Sequence, residues 1–285
     1  MVGLICEGGG MKCAYGAGVL DCFMEAGIKF DYVIGVSAGS ANAITFVAGQ
    51  HGRAKRFYTD HIDEHGYFGV SALLEEGSLF GLEYIYGDIS TSGGSDPLDW
   101  DAIMANPARF ECVATECTTG RAKYFSKDDI PRDDYHVIMA SSAIPAISTP
   151  VRINGIEYCD GGVSDSIPVS RAFEMGCDKV VVILSKTRDY VCEPEGHHAI
   201  YSKMLKQYPA LVTAIENRHL SYRECQRKMF GYEAQGKAFI FAVSRPVRTS
   251  TYKMDREINQ AMYDLGRRDY TKQAGELKKF LGGTT

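Results

Sequence analysis

The first fifty residues repeat one unit: a short apolar run, a glycine break, then a segment with helical spacing. Val2-Gly3-Leu4-Ile5-Cys6 runs into Gly8-Gly9-Gly10, and Ala14, Ala17, Val19, Leu20 and Phe23 follow on one helical face until Gly27. Tyr32-Val33-Ile34 stops at Gly35, and an alanine-rich helix is expected from Ala38 to Ala48. Strand, helix, strand, helix in this order is the opening of a parallel sheet, because parallel neighbours need a crossover helix that packs back on the sheet. Strands covered on both faces read as continuous apolar runs, as these two do.

Regularity is lower over residues 51–100, where only Arg53 to Asp63 reads as helical. Tyr67 to Tyr86 is rich in aromatic and aliphatic residues without clean periodicity, and suits either an acyl pocket or lid, or ordinary core. It returns with an alternating strand at Phe110–Thr115 and its hairpin partner Ala122–Phe125. Tyr135 to Ser142 reads as a helix. Asn154-Gly155 between Val151–Ile153 and Ile156–Cys159 is a hairpin signal, because both turn residues tolerate positive φ. Lys179 to Leu184 is another buried strand. Helices are expected at about 200–217, 219–230 and 255–271, with one strand at Ala238–Val243. The expected organisation is an α/β unit over residues 1–190 and a mostly helical C-terminal region over 191–285, packed on it or extending it.

The formal net charge of −5 disfavours nucleic acid as a partner, since such proteins carry a basic excess. Nine cysteines, an odd number without framework spacing or a CxxC pair, read as small buried hydrophobes in a reducing cytoplasm. No metal or cofactor is expected. The reading also expects neither a signal peptide nor a membrane span.

Three motifs carry chemistry. Gly35-Val36-Ser37-Ala38-Gly39 lies between a strand and a helix, a setting that makes a sharp turn and exposes the serine hydroxyl at the strand end. The triple glycine Gly8-Gly9-Gly10, followed by Met11-Lys12, can aim successive N–H groups into one concavity. A tight turn and a dinucleotide fingerprint compete for it. The fingerprint's third glycine would fall on Cys13, and the acid expected after the second strand is absent. Asp160, at the end of a hairpin strand and before Gly161-Gly162, is placed to project into a cleft as a base toward Ser37. The order Ser37, Asp160, then His197, His198 or His219 also fits a histidine triad, but the serine comes much earlier here than in α/β-hydrolases, so a dyad fits better.

Together these motifs resemble the patatin-like phospholipase family, whose pattern is a glycine-rich oxyanion loop, Gly-x-Ser-x-Gly, then Asp-Gly-Gly or Asp-Gly-Ala. Ala140-Ser141-Ser142-Ala143-Ile144-Pro145 is similar to the family's small-residue block ahead of the aspartate. The resemblance runs from about Val2 to Leu184. It implies a three-layer α/β/α fold with a mainly parallel central sheet and a helical C-terminal appendage. It further implies catalysis by Ser37 and Asp160, an oxyanion hole at Gly8, Gly9 and Gly10, and substrate contact by Lys12. The implied reaction is hydrolysis of acyl esters of lipids through an acyl-serine. Cys13 departs from the pattern, standing where the family usually has the last loop glycine. A lipid or other acyl-ester substrate and peripheral membrane contact are the expected partners, with no expectation about oligomeric state. A thioesterase, an acyltransferase and a non-catalytic acyl- or lipid-binding protein are the alternatives at this point. Arg218, Arg223, Arg227 and Lys228 form a basic helical face that suits an anionic membrane or plain solvent.

Overall fold

The computed structural model describes residues 1–196 and 198–282. Its strands are β1 (Val2–Cys6), β2 (Tyr32–Val36), β3 (Arg109–Glu116), β4 (Ala122–Ser126), β5 (Val151–Ile153), β6 (Ile156–Asp160), β7 (Lys179–Ile183) and β8 (Ala238–Phe241). They form one sheet in the order β5-β6-β3-β2-β1-β7-β8, with β4 also paired to β3. From β3 to β8 every neighbour along this path is parallel, and β4, β5 and β6 are antiparallel additions at one end.

Successive side chains of the central strands enter opposite cores. Leu4, Cys6, Val181 and Ile183 pack with the helices Ala14–Glu25, Ala38–Val47, His136–Ser142 and Arg256–Leu281. Ile5, Val180 and Val182 pack with the helices Val169–Glu174 and Pro209–Ala234. The result is a three-layer α/β/α architecture. A third small cluster, with Cys117, Cys159, Leu205 and Leu211, holds the short helix His198–Met204 and the start of Pro209–Ala234 against β3 and β6.

Strand register places the functional edge. Cys6 pairs with Gly35 on one side and Ile183 on the other, so Glu7, Ser37 and Ser185 emerge along one sheet edge. Because β1 sends the chain to β2 on one side and has β7 on the other, this edge is the crevice where open α/β sheets bind ligands.

The C-terminal region contributes directly to this frame. β8 continues the parallel sheet beyond β7, and Arg256–Leu281 packs along Ala14–Glu25. Residues 209–234 form one continuous helix where the sequence suggests a break near residue 218. The break falls earlier, at Pro209 in the helix's first turn, where the missing N–H of proline costs no hydrogen bond. Over residues 51–100 the chain makes short elements below the length at which periodicity shows: helices Arg53–Thr59, Val70–Glu76 and Trp100–Ala105, and a π-helical turn at Tyr84–Ile89.

Candidate active site

Ser37 stands between β2 and the helix Ala38–Val47 with φ 55° and ψ −134°, a conformation disfavoured for any side chain. Its surroundings hold it there. The Ser37 N–H donates to Ser141 Oγ at 2.9 Å, and that hydroxyl donates to the Val113 carbonyl at 2.6 Å. The Ser37 carbonyl accepts from the Ser40 N–H at 2.8 Å and the Ser40 hydroxyl at 2.6 Å. Gly39 lets the helix start against β1, since a Cβ there would lie 2.4 Å from the carbonyl oxygens of Cys6 and Glu7.

Asp160 closes β6. Its N–H donates to the Ala143 carbonyl at 2.8 Å, and its carbonyl accepts from Thr115 Oγ1 at 2.9 Å. The Ser37 hydroxyl donates to Asp160 Oδ2 at 2.6 Å, and the Gly162 N–H donates to Oδ1 at 2.7 Å. Burial pushes the Asp160 carboxyl above its ordinary value. The Ser37 hydroxyl, the Gly162 N–H, Arg218 and Lys186 pull the other way. The carboxylate is therefore a stronger base than an aspartate in water, already bonded to the proton it would remove.

No described histidine bonds to this pair. The His219 ring nitrogen faces the Glu216 carbonyl at 3.0 Å. His197 and the side chain of His198 lie outside the described residues.

The N–H groups of Gly8, Gly9 and Gly10 meet no acceptor among the described residues. The loop is fixed through its other atoms. The Gly8 carbonyl accepts from Ser185 Oγ at 2.7 Å, and the Met11 N–H donates to the Thr251 carbonyl at 3.2 Å. Underneath lies Glu7, 3% exposed, which accepts from the Ser185 N–H at 2.7 Å, from the Tyr222 hydroxyl at 2.6 Å and from Lys186. Cys13 is buried below the loop with its thiol directed at the Glu7 carbonyl, 3.4 Å away, and burial pushes that thiol well up. In this position it is a packing group, and the donors ahead of it remain available.

Two cavities meet at Ser37. One, of about 340 Å³, is polar and lined by Gly8, Gly9, Gly10, Lys12, Asp160 and Arg218, with Lys186 beside them. The other, of about 80 Å³, is apolar; Tyr67, Phe80, Leu82 and Tyr86 line it, whereas Leu74 of the same stretch is exposed. Ser37, Gly10 and Ile144 form walls of both. Burial and the neighbouring Lys186 lower the Lys12 pKa. This arrangement suits a molecule with one apolar arm and one anionic or polar arm, joined at a group within reach of Ser37.

The sequence profile of the family described as patatin-like phospholipase matches residues 4–173, more than half of the chain. The chain belongs to the patatin-like phospholipase family. A second profile, a domain of unknown function (DUF6363), matches residues 208–282. Among curated relatives, the uncharacterised protein YjjU of Escherichia coli (strain K12) is 29% identical over 256 residues, covering 86% of this chain and 68% of its own length. Lysophospholipase nte1 of Aspergillus terreus is 26% identical over 189 residues. That match covers 64% of this chain, which spans only 12% of the relative's length. Human GIVD cytosolic phospholipase A2, solved with the inhibitor methyl gamma-linolenyl fluorophosphonate and terbium chloride, shares the fold at a TM-score of 0.50 and 11% identity. The alignment covers 99% of this chain and 59% of that one.

In this member of the patatin-like phospholipase family the six residues singled out from the motifs (Gly8, Gly9, Gly10, Lys12, Ser37 and Asp160) line one cavity. The buried Glu7–Lys186–Tyr222 cluster behind the loop has no local sequence signal. Lys186 follows an apolar strand at the same sheet edge, which is the only hint. Ser141 sits within the small-residue block ahead of Asp160. Arg218 leaves the basic helical face: its Nε donates to the Gly162 carbonyl at 2.7 Å. Arg227 pairs with Glu224 at 2.6 Å, Lys228 reaches the same carboxylate at 3.9 Å, and Arg223 faces Glu193 outside the helix at 3.7 Å.

Proposed function

We propose that the protein is a serine acyl hydrolase of lipids, a phospholipase A or related lipid acyl hydrolase, with Ser37 as nucleophile and Asp160 as base. The 2.6 Å bond from the Ser37 hydroxyl to Asp160 carries this reading. In the proposed reaction Asp160 takes the hydroxyl proton as Ser37 Oγ attacks the ester carbonyl. The oxyanion forms toward the free N–H groups of Gly8, Gly9 and Gly10, each well-aimed donor contributing about 3 kcal/mol. Asp160 returns the proton to the leaving alkoxide, giving the alcohol and an acyl-serine. Water, deprotonated by the same carboxylate, then attacks the acyl-serine; Ser37 Oγ leaves, taking the proton back from Asp160, and the fatty acid is released.

The two cavities support a division of labour, with the acyl chain in the apolar one and the headgroup side in the polar one beside Lys12. Residues 1–190 are proposed as the catalytic unit and 191–285 as a helical region packed on it, supplying Arg218 to the site. We propose a cytoplasmic location with peripheral membrane contact. No helix of the described residues is long and apolar enough to cross a membrane.

Fatty-acid release from monoacyl and diacyl phospholipids tests the reading. Ser37→Ala and Asp160→Asn should each lower kcat by about a thousandfold or more while the proteins stay folded. Full activity in Ser37→Ala would overturn the assignment.

A further inference from the structure

The apolar cavity follows the helix that Ser37 begins. Ala38, Ala41, Asn42 and Thr45 succeed one another along its wall. At a rise of ~1.5 Å per residue, Thr45 stands about 10 Å from Ala38. There the wall changes character, because the side chain next to Thr45 is a buried arginine.

Arg53 is 4% exposed and lines the cavity. Its Nη1 donates to Thr45 Oγ1 at 3.2 Å and its Nη2 to Ser90 Oγ at 2.9 Å. Nε and Nη2 share the Asp96 carbonyl at 3.2 and 2.7 Å. A guanidinium has five N–H groups. The second N–H on Nη1 meets no acceptor among the described residues, and neither does the hydroxyl hydrogen of Thr45. Ser90, by contrast, donates its own hydrogen to the Ile85 carbonyl at 2.7 Å.

Charge is unbalanced in the same way. The Asp96 carboxylate is held by Arg56 through two bonds of 2.6 and 2.8 Å, and His61 reaches it at 3.3 Å. It comes no nearer than 3.5 Å to Arg53. Glu64 faces His61, not Arg53. Two guanidiniums thus share one carboxylate, and the more buried of them borders a cavity with an N–H to spare. Burial and the neighbouring Arg56 pull the Arg53 pKa down to about 10 against the attraction of Asp96, and one face of the guanidinium lies over the Phe57 ring, 4.6 Å from its centroid. A plain hydrocarbon end placed here would shut out water and give nothing back.

We propose that this cavity, which at about 80 Å³ must widen around a full chain, is a ruler for acyl chains that end in an oxygen function: a chain of about eight carbon–carbon bonds, each advancing ~1.25 Å when extended, whose far carboxylate is received by Arg53 and Thr45. The substrate class is an ester of an ω-oxidised medium-chain acid. This rests on Ser37 being the nucleophile at the near end of the same cavity.

The test compares p-nitrophenyl esters of nonanedioic acid, with its second carboxylate free, and of nonanoic acid, equal in length but ending in a methyl group. The free carboxylate should raise kcat/KM by about tenfold or more. Thr45→Val, which keeps Arg53 bonded to Ser90 and Asp96, should cut that preference several-fold, its folding checked by Tm. The product side gives a readout independent of turnover: nonanedioic acid should raise the Tm of the wild-type protein more than nonanoic acid does. Equal or better turnover of the nonanoate, no difference between the two acids in Tm, or a preference untouched by Thr45→Val would overturn the proposal. p-Nitrophenyl butyrate, too short to reach Arg53, separates the two readings. If it is hydrolysed in a Ser37-dependent way while the nonanedioate shows no advantage, only the ruler fails. If none of the three esters is hydrolysed in a Ser37-dependent way, the serine hydrolase assignment fails, and the ruler with it.

Discussion

The Asp160 carboxyl carries a conflict between stability and chemistry. Burial raises its folded-state pKa above the value it has in the unfolded chain. A group shifted upward favours the folded state while it is protonated, and that contribution is lost as pH rises through the folded value. At neutral pH the wild-type protein therefore bears a buried anion that an amide would not. Asp160→Asn should raise Tm at neutral pH, with the gain shrinking as pH falls toward the ordinary aspartate value of ~3.9. Thermal melts of both proteins across that range check it. An amide variant less stable at neutral pH would mean that Ser37, Gly162 and Arg218 outweigh burial. The residues bearing this chemistry were legible because each sits in a local motif of fixed spacing. Glu7 was not, since its partners Lys186 and Tyr222 are 179 and 215 positions away and only the folded sheet brings them together. Arg218 read as one more solvated cation because its role depends on where the helix is docked.

At the scale of elements, the helices Ala14–Glu25 and Arg256–Leu281 touch through backbone. A Cβ on Gly18 would lie 2.1 Å from the Tyr263 carbonyl oxygen, and one on Gly266 would lie 2.1 Å from that of Tyr15. Alanine would gain about 1 kcal/mol of helix propensity at either position. Forcing the helices apart should cost more, about 1–3 kcal/mol. Gly266→Ala is thus expected to lower Tm by a few degrees, and an unchanged or higher Tm would show that the two helices can separate without loss. The strands β1, β2 and β7 were readable in advance because both of their faces are covered, leaving apolar runs with no polar alternation, whereas β3 was readable from its alternation. The segment Tyr67–Tyr86 was opaque for the opposite reason. Its seven-residue helix and its π-helical turn are too short for a period to emerge, and its aromatic side chains serve core and cavity together.

Across the whole molecule, the sheet edge that carries Ser37 is assembled from both ends of the chain. The motifs lie between Gly8 and Asp160, yet Arg218 touches the Gly162 carbonyl, Tyr222 bonds Glu7, and Thr251 holds the glycine loop at Met11. β8 and the last helix complete the sheet and one of its layers, so the C-terminal region belongs to the frame that strains Ser37 into place. If this frame makes Ser37 a nucleophile, covalent capture will reveal it. Incubation of the intact protein with an alkyl fluorophosphonate, followed by mass spectrometry of its peptides, should find one phosphonate on Ser37, strongly slowed in Asp160→Asn and absent after unfolding. A folded protein that takes no label at Ser37, or that labels equally fast without the Asp160 carboxylate, would contradict the account.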